Sequence, residues 1–422
     1  MYRLILWLRN QENGLWLKPA IGSVLAVLFA LLAAAGNHLI KPGVLPDIDL
    51  ATLDSLLGVI ASSMLAVSTF SLSIMVAAFA SASSAATPRA SELVIGDEGT
   101  HTAIASFISA FIYSLIAKTA LGMGYYGSTG RFLLFVSTLG VLTYLIVTLI
   151  RWVKTLSSLG RMSNTLAKIE KAAATAMCAH RQAPCLGART GSLQLPEGLH
   201  VYASGVGYVQ HIDMQLLQKE ACTAQVLMHI RERPGSFVNA GTVLLTIAGA
   251  WATETDHLRD AFVIGSTRSF DQDPRFGLIV LSEVAQRALS PAVNDPGTAI
   301  AVMNAMTRVL VDVYPESDET ESPDHDRLTL VGLDEADFVH QGFDPIARDG
   351  AGTVEVLIRM QKLLSVIAEC GGDTLAHTAK NQGITAMQWA EHGLVLDQHK
   401  EAVKQVFESL FESDRSEKLP GR

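Results

Sequence analysis

SLLGVIASSMLAVSTFSLSIMVAAFASASSAAT, Ser55 to Thr87, runs without a single charged residue. As a helix at 1.5 Å per residue it would be roughly 50 Å long, against a hydrocarbon core of roughly 30 Å. It is longer than a soluble helix needs and must tilt, break or project beyond a bilayer. Three further apolar runs stand around it: Ile21 to Ile40, Thr102 to about Met123, and Phe132 to Ile150. Each is close to the roughly 20 residues a span requires. Ala33-Ala34-Ala35 would suit a signal-peptidase site, but the run around it is too long for a signal h-region, so an uncleaved span is expected. The sequence therefore predicts an integral membrane protein with four transmembrane helices.

Basic residues orient it. Arg3, Arg9 and Lys18 precede the first span, Arg89 lies between the second and third, and Arg151, Lys154, Arg161, Lys168 and Lys171 follow the fourth. The opposite side has Lys41, Lys118 and Arg131. The excess of basic loops on one side places both termini in the cytoplasm. Trp7, Trp16 and Trp152 fall where an interfacial aromatic belt belongs.

Ser55, Ser62, Thr69 and Ser73 recur at helical spacing along the second span, followed by Ser81, Ser83 and Ser84. Small residues let helices approach closely, so this face reads either as a packing seam or as a pore lining. No Asp, Glu or His lies mid-span, where coupled transporters usually hold one. A passive pore or a simple anchor remains.

The 422 residues exceed one typical domain. Only 17% are charged, against about 25% in soluble proteins, and the apolar excess sits before residue 154. The net charge of −9 argues against nucleic acid as a partner. Cys178, Cys185, Cys222 and Cys370 form no C-x-x-C pair, so no disulfide framework is expected. Cys178, His180 and Cys185 lack a suitably spaced fourth ligand, so no metal site is expected there.

The division that follows is an interfacial segment (1–20), a transmembrane domain (21–153), a juxtamembrane helix (154–182), a strand-rich subdomain (199–249), a helical cytosolic subdomain (262–412) and a disordered tail (413–422). In the juxtamembrane helix Leu156, Leu159, Met162, Leu166, Ile169, Ala173 and Ala176 form a stripe, either a coiled-coil seam between subunits or a face packed on its own domain. From Leu199 the period changes to two, interrupted by a short helix that Asp213 can cap. RERPGSFVNAGTVLLTI, Arg231 to Ile247, resembles the hammerhead hairpin of lipoyl and biotinyl barrels. The resemblance implies a small β-barrel. It does not imply a carried cofactor, because Lys219 falls in the predicted helix rather than at a hairpin tip.

RALSPAVNDPGTA, Arg287 to Ala299, holds the densest turn chemistry in the chain. Asp273-Pro274 and Asp295-Pro296 each read as a helix start, with Asp capping and Pro in the first turn. Ser290-Pro291 ends the first helix, and Glu283 and Arg287 stand four apart along it. Capping explains most of this. If Asp271, Gln272, Asp273, Asn294, Asp295 and Thr298 converge, with Arg268 and Arg287 beside them, the corner could instead bind a small ligand or a divalent cation, or perform acid-base chemistry. No nucleophile–base pair accompanies it, so no catalytic residue is assigned.

The segments Phe270–Pro274, Phe276–Leu278, Ala288–Pro291, Asn294–Pro296 and Thr298-Ala299 resemble the pattern of a bacterial membrane family, domain of unknown function 2254. The resemblance runs over nearly the whole chain and includes Thr87-Pro88-Arg89 after the Ser-rich span. Gly297 replaces an aromatic and Thr87 a serine, so no ring is expected at the corner. The family implies an integral protein of a bacterial inner membrane and no particular activity. Three functions stay open. The first is an oligomeric pore with cytosolic gating or assembly domains. The second is a non-conducting scaffold or sensor that binds a ligand or partner at the corner, and the third is a metal-dependent hydrolase. SDETESPDHD, Ser317 to Asp326, reads as an exposed acidic linker. Asp344-Pro345 reads as a third Asp-Pro turn, with three helical patterns after it.

Overall fold

A computed structural model describes residues 20–25, 27–28, 46–85, 87–90, 98–156, 161–191, 197–252, 254–312 and 324–411. The chain divides into two compact units, Met1–Thr165 and Leu166–Arg422.

Among the described residues of the first unit, three helices are long and apolar enough to cross a membrane. They are α1 (Leu50–Ala85), α2 (Glu98–Gly122) and α3 (Ser128–Leu156). The first expected span, Ile21–Ile40, lies largely outside the described residues. Its described part, 20–25 and 27–28, is helical, and Gly22 backs onto Ser109 so closely that a Cβ would collide with the hydroxyl.

α1 starts five residues before the uncharged stretch and takes in Asp54. Asp49 makes this start possible, because its carboxylate accepts the Thr52 amide at 3.2 Å. Asp54 is neutralised by Lys118 of α2, whose Nζ lies 2.7 Å from the carboxylate and also donates to the Asp54 carbonyl at 3.2 Å. Arg131 and Asp47 form a second pair at 2.8 Å. α1 buries Leu53, Leu57, Ile60, Ser68, Ser71, Met75 and Ala78. α2 joins α3 through hydroxyls: Tyr113 OH lies 2.7 Å from Ser137 Oγ, and Ser106 Oγ lies 2.8 Å from Tyr144 OH. Such bonds average about 0.6 kcal/mol between membrane helices. They orient the pair, while Phe107, packed with Ile60, Leu145 and Trp152, fills it.

The second unit begins within α4 (Met162–Gln182) and then adds strands β1 (Ala188–Thr190), β2 (Leu199–Tyr202) and β3 (Gly207–Ile212). Asp213 caps α5 (Met214–Ala224) as expected, accepting the Leu216 amide at 3.0 Å. β4 (Leu227–Ile230), β5 (Phe237–Val238) and β6 (Val243–Ala248) follow, then the single turn α6 (Asp256–Arg259) and β7 (Phe262–Gly265). The helices α7 (Pro274–Leu289) and α8 (Pro296–Val311) precede β8 (His325–Leu330). The chain ends in α9 (Ala336–Asp349), α10 (Val354–Cys370), α11 (Asp373–Gly393) and α12 (Asp397–Phe411).

The strands form two open sheets in place of the expected closed barrel, a five-stranded sheet β1-β8-β4-β6-β2 and a three-stranded sheet β5-β3-β7. β4–β6 and β6–β2 are antiparallel, as the hammerhead-like pattern anticipates. β8 then lies parallel to both β4 and β1. The sheets thus recruit β1, β7 and β8 from outside 199–249, and β8 starts within the stretch read as an acidic linker. One other reading also changes. Asp344-Pro345 makes no turn, and α9 continues through Pro345. Burial of Phe338, Val339, Phe343 and Ile346 outweighs the roughly 3 kcal/mol an interior proline costs. In the juxtamembrane stripe, Leu166, Ile169, Ala173 and Ala176 are buried in the chain itself, so this part of it packs on its own domain.

Gly277 shows how tightly α4 and α7 meet: a Cβ there would overlap both the Cβ and Cα of Ala173. In an exposed helix Gly→Ala stabilises by roughly 0.5–1 kcal/mol. Gly277→Ala should instead destabilise by about 1–3 kcal/mol through overpacking, read as a lower unfolding midpoint of the full chain in detergent.

Candidate functional site

The segment Arg268–Arg275 joins β7 to α7, and every polar group the sequence singled out in it has a partner. Gln272 pins the end of β3: its Oε1 accepts the Ile212 amide at 2.9 Å and its Nε2 donates to the Ile212 carbonyl at 3.3 Å. Asp271 faces His211, with its carboxylate 3.8 Å from Nδ1. Asp273 is buried, 1% exposed, at the N-cap of α7. Its Oδ2 accepts from Arg268 Nε at 2.9 Å and from Arg268 Nη2. Its Oδ1 accepts from the Arg275 amide and Arg275 Nε, both at 3.3 Å.

The turn before β5 closes over this carboxylate. Gly235 has φ +93°, a left-handed conformation that favours glycine, and a Cβ there would strike the Asp273 carboxylate. The Gly235 amide donates to the Val209 carbonyl at 2.8 Å, and Arg275 Nη2 reaches the Pro234 carbonyl at 3.5 Å. The Arg268 guanidinium lies 5.2 Å above the Phe276 ring.

The other half of the expected corner lies elsewhere. Asp273 opens the 16-residue α7, and Asn294 and Asp295 follow its far end. At 1.5 Å per residue the helix alone separates them by about 24 Å. The two groups do not converge, because α7 and α8 run as a hairpin and each Asp-Pro sits at the start of its own helix. Asp295 Oδ1 accepts the Thr298 amide at 3.0 Å and Oδ2 accepts the Thr298 hydroxyl at 2.6 Å. These bonds, the hydroxyl first, hold the Asp295 pKa below its ordinary value. Asn294 takes φ +48°, and its amide donates to the Ser290 carbonyl at 2.9 Å. Ser290 Oγ donates to the Arg287 carbonyl at 2.7 Å, while the buried Arg287 Nε makes no hydrogen bond. Capping and turn bonds therefore account for Asn294, Asp295, Thr298 and Ser290.

Sequence reasoning missed Arg233, Arg275, Gly235 and His180 as members of the first cluster. The Pro234-Gly235 turn was visible, but its partner lies far along the chain. Arg233 donates to the Val331 carbonyl and, at 2.8 Å, to the Pro184 carbonyl. His180 packs edge-on to Phe338, with ring centroids 5.7 Å apart. Burial pushes its pKa down to about 4, with Arg233, Arg181 and Arg275 adding to the effect. Among the described residues, no group of three His, Cys, Asp or Glu side chains is placed to hold a metal ion.

In the first unit, Ser55, Ser62, Thr69 and Ser73 are all exposed, on the side of α1 turned away from its buried face. Ser62 Oγ donates to the Gly58 carbonyl at 3.0 Å, Thr69 Oγ1 to the Ala66 carbonyl at 2.9 Å and Ser73 Oγ to the Thr69 carbonyl at 3.0 Å.

A family model described as "Predicted membrane protein (DUF2254)" matches residues 12–365. Uncharacterized proteins of Mycobacterium bovis and Mycobacterium tuberculosis are 31% identical over 175 residues, which is 39% of this chain and 33% of each relative. The match thus spans about a third of the length of these relatives. No solved structure matches the chain.

The two aspartates should behave differently. Asp273→Ala leaves two guanidinium groups without their carboxylate and should cost about 3 kcal/mol or more. Asp295→Ala removes an exposed cap and should cost about 1 kcal/mol. Because the Asp295 pKa is depressed on folding, its contribution is present above the unfolded value of about 3.9 and is lost as pH falls through the folded value. The gap between wild type and Asp295→Ala in urea unfolding should therefore close under acid. His180 titrates near pH 4 when folded and near about 6.5 when unfolded. Between those values the unfolded chain holds the extra proton, so stability falls as pH drops through that window. His180→Gln should flatten that part of the profile.

Proposed function

Because the chain belongs to the family described as "Predicted membrane protein (DUF2254)", we propose that it is a homo-oligomeric pore of a bacterial cytoplasmic membrane. Both termini and the second unit face the cytoplasm, and the first expected span, Ile21–Ile40, makes a fourth transmembrane helix. Copies of α1 surround a passive polar path, and the second unit serves assembly or gating.

The observation that carries this reading is the exposed hydroxyl face of α1. Its opposite side is the one buried in the first unit, while Ser55, Ser62, Thr69 and Ser73 stay exposed among the described residues. Ser62, Thr69 and Ser73 spend their hydrogens on their own helix, which turns oxygen lone pairs outward as acceptors. Such a face is tolerated beside lipid, and it suits close helix association around a hydrated path. The ionisable groups within the three helices fit a passive role. Asp54 and His101 stand in the first turns of their helices and Lys118 in the last, so no charge stands mid-span where coupled transport would use one.

The scaffold or sensor reading placed a ligand at the Asp-Gln-Asp-Pro/Asn-Asp-Pro corner. The separation of its two halves, each spent on the cap of its own helix, favours the pore. Proteoliposome ion flux tests the assignment. Ser62→Leu/Ser73→Leu should abolish most of the flux while insertion and unfolding midpoint stay unchanged. Full flux through the correctly inserted double variant would remove α1 as the lining.

A further inference from the structure

The five-stranded sheet buries one side and leaves the other partly exposed. On the buried side Met228, Ile230, Leu328 and Leu330 share a core with Leu217 and Ala221 of α5. Alternation along each strand turns the neighbouring residues to the opposite side. There the register sets one residue from every strand in a single row: Arg189 of β1, Thr329 of β8, His229 of β4, Thr246 of β6 and His200 of β2. Four strand spacings make this row about 19 Å long. The rings are tied into it, with His229 Nδ1 2.6 Å from Thr329 Oγ1 and His200 Nδ1 3.1 Å from Thr246 Oγ1. Arg327 precedes Thr329 by two positions on the same side, and Arg231 follows His229 by two, just beyond β4.

This side is basic. The five strands contain one acidic residue, Asp326, and it lies on the α5 side, where it accepts from Gln218 at 2.6 Å. At the β2 rim Asp256 is already paired with Arg259. The side chains of Arg189, Arg231 and Arg327 make no hydrogen bond or ion pair among the described residues. Apolar groups join them at the margins. Leu227, two positions before His229, is 43% exposed, and Tyr202, whose ring lies 6.3 Å from that of His200, is 42% exposed. Guanidinium groups beside an exposed tyrosine and leucine suit the headgroup region of a bilayer. Such a surface is within reach. α3 ends at Leu156 and α4 begins at Met162, so no more than about 20 Å of chain joins them.

We propose that this side of the five-stranded sheet is a docking surface for anionic lipid headgroups. Arg189, Arg231 and Arg327 supply the charge, and Tyr202 and Leu227 supply the interfacial contact. The surface is independent of the pore assignment.

The test uses the full chain in phosphatidylcholine nanodiscs, into which phosphatidylglycerol is titrated at fixed ionic strength. Hydroxyl-radical footprinting reads the exposure of the Tyr202 and Leu227 side chains, with Val395, 92% exposed between α11 and α12, as the internal reference. Tyr202 and Leu227 should lose reactivity as phosphatidylglycerol rises, Val395 should not, and high salt should restore the lost reactivity. One arginine near an anionic surface changes binding about fivefold, so Arg189→Gln/Arg327→Gln should lower the ratio of docked to free sheet about twenty-five-fold. Arg189→Lys/Arg327→Lys keeps the charge and should dock like the wild type, which separates charge from folding. Unchanged reactivity of Tyr202 and Leu227 at every lipid composition would overturn the surface, as would equal protection of wild type and the glutamine variant. Protection by poly-glutamate in pure phosphatidylcholine, with none from phosphatidylglycerol, would assign an acidic protein partner and overturn the bilayer.

Discussion

The second unit is organised by the carboxylate of Asp273, buried at the start of α7 and shared between Arg268 and Arg275. A buried ion pair is weak evidence for stability, because desolvation consumes most of the Coulomb attraction. Its value here is positional. Arg268 comes from the β7–α7 connection, Arg275 from the helix itself, and the left-handed Gly235 brings the β4–β5 turn down onto the carboxylate. The neighbouring Gln272 copies a strand's hydrogen bonding against Ile212. Two adjacent side chains therefore set where the three-stranded sheet ends and where the helix begins. From that start α7 is buried along most of its length, so an error in its placement would be passed to α4 and to every helix packed on it.

The membrane helices follow the opposite economy. Charges lie near their ends, where two ion pairs form, Asp54 with Lys118 and Asp47 with Arg131. Between the ends, polarity is carried by hydroxyls. Some hydroxyls join helices, as Tyr113 and Tyr144 do. Others fold back on their own carbonyls along α1. The first kind fixes α2 against α3. The second leaves a row of hydroxyls on the exposed side of α1, among apolar residues such as Val59, Phe70 and Val76, and this row is what the pore assignment uses.

What could be read from the sequence was local. The three long apolar helices, the caps at Asp213, Asp273 and Asp295, and the hairpin of α7 and α8 all follow from residues within a few positions of one another. What escaped was set at a distance. HDRLTL carries no clean alternation and becomes β8 only because β4 and β1 offer edges on both sides. Closure of a barrel is likewise non-local: the pattern around Pro234-Gly235 identified strands, but not that β8 would enter beside β4. Pro345 reads as a break until the burial of Phe343 and Ile346 is weighed against it. Within the candidate site, Arg233 and Asp273 are separated by forty positions in the chain, and nothing near either residue announces the other.

The conspicuous motif and the functional one therefore come apart. RALSPAVNDPGTA is dense in polar residues because a tight helical hairpin must satisfy amides and carbonyls at both its ends. Asp295, Thr298, Asn294 and Ser290 spend themselves on one another and on the turn. A group so engaged has little left for a ligand. Function is better sought where the fold leaves polarity unspent. One such place is the outward hydroxyl face of α1. It is not a compact sequence motif but a helical face spread over nineteen residues from Ser55 to Ser73. It is recognised by a physical accounting that counts donors and acceptors against the partners they find among the described residues.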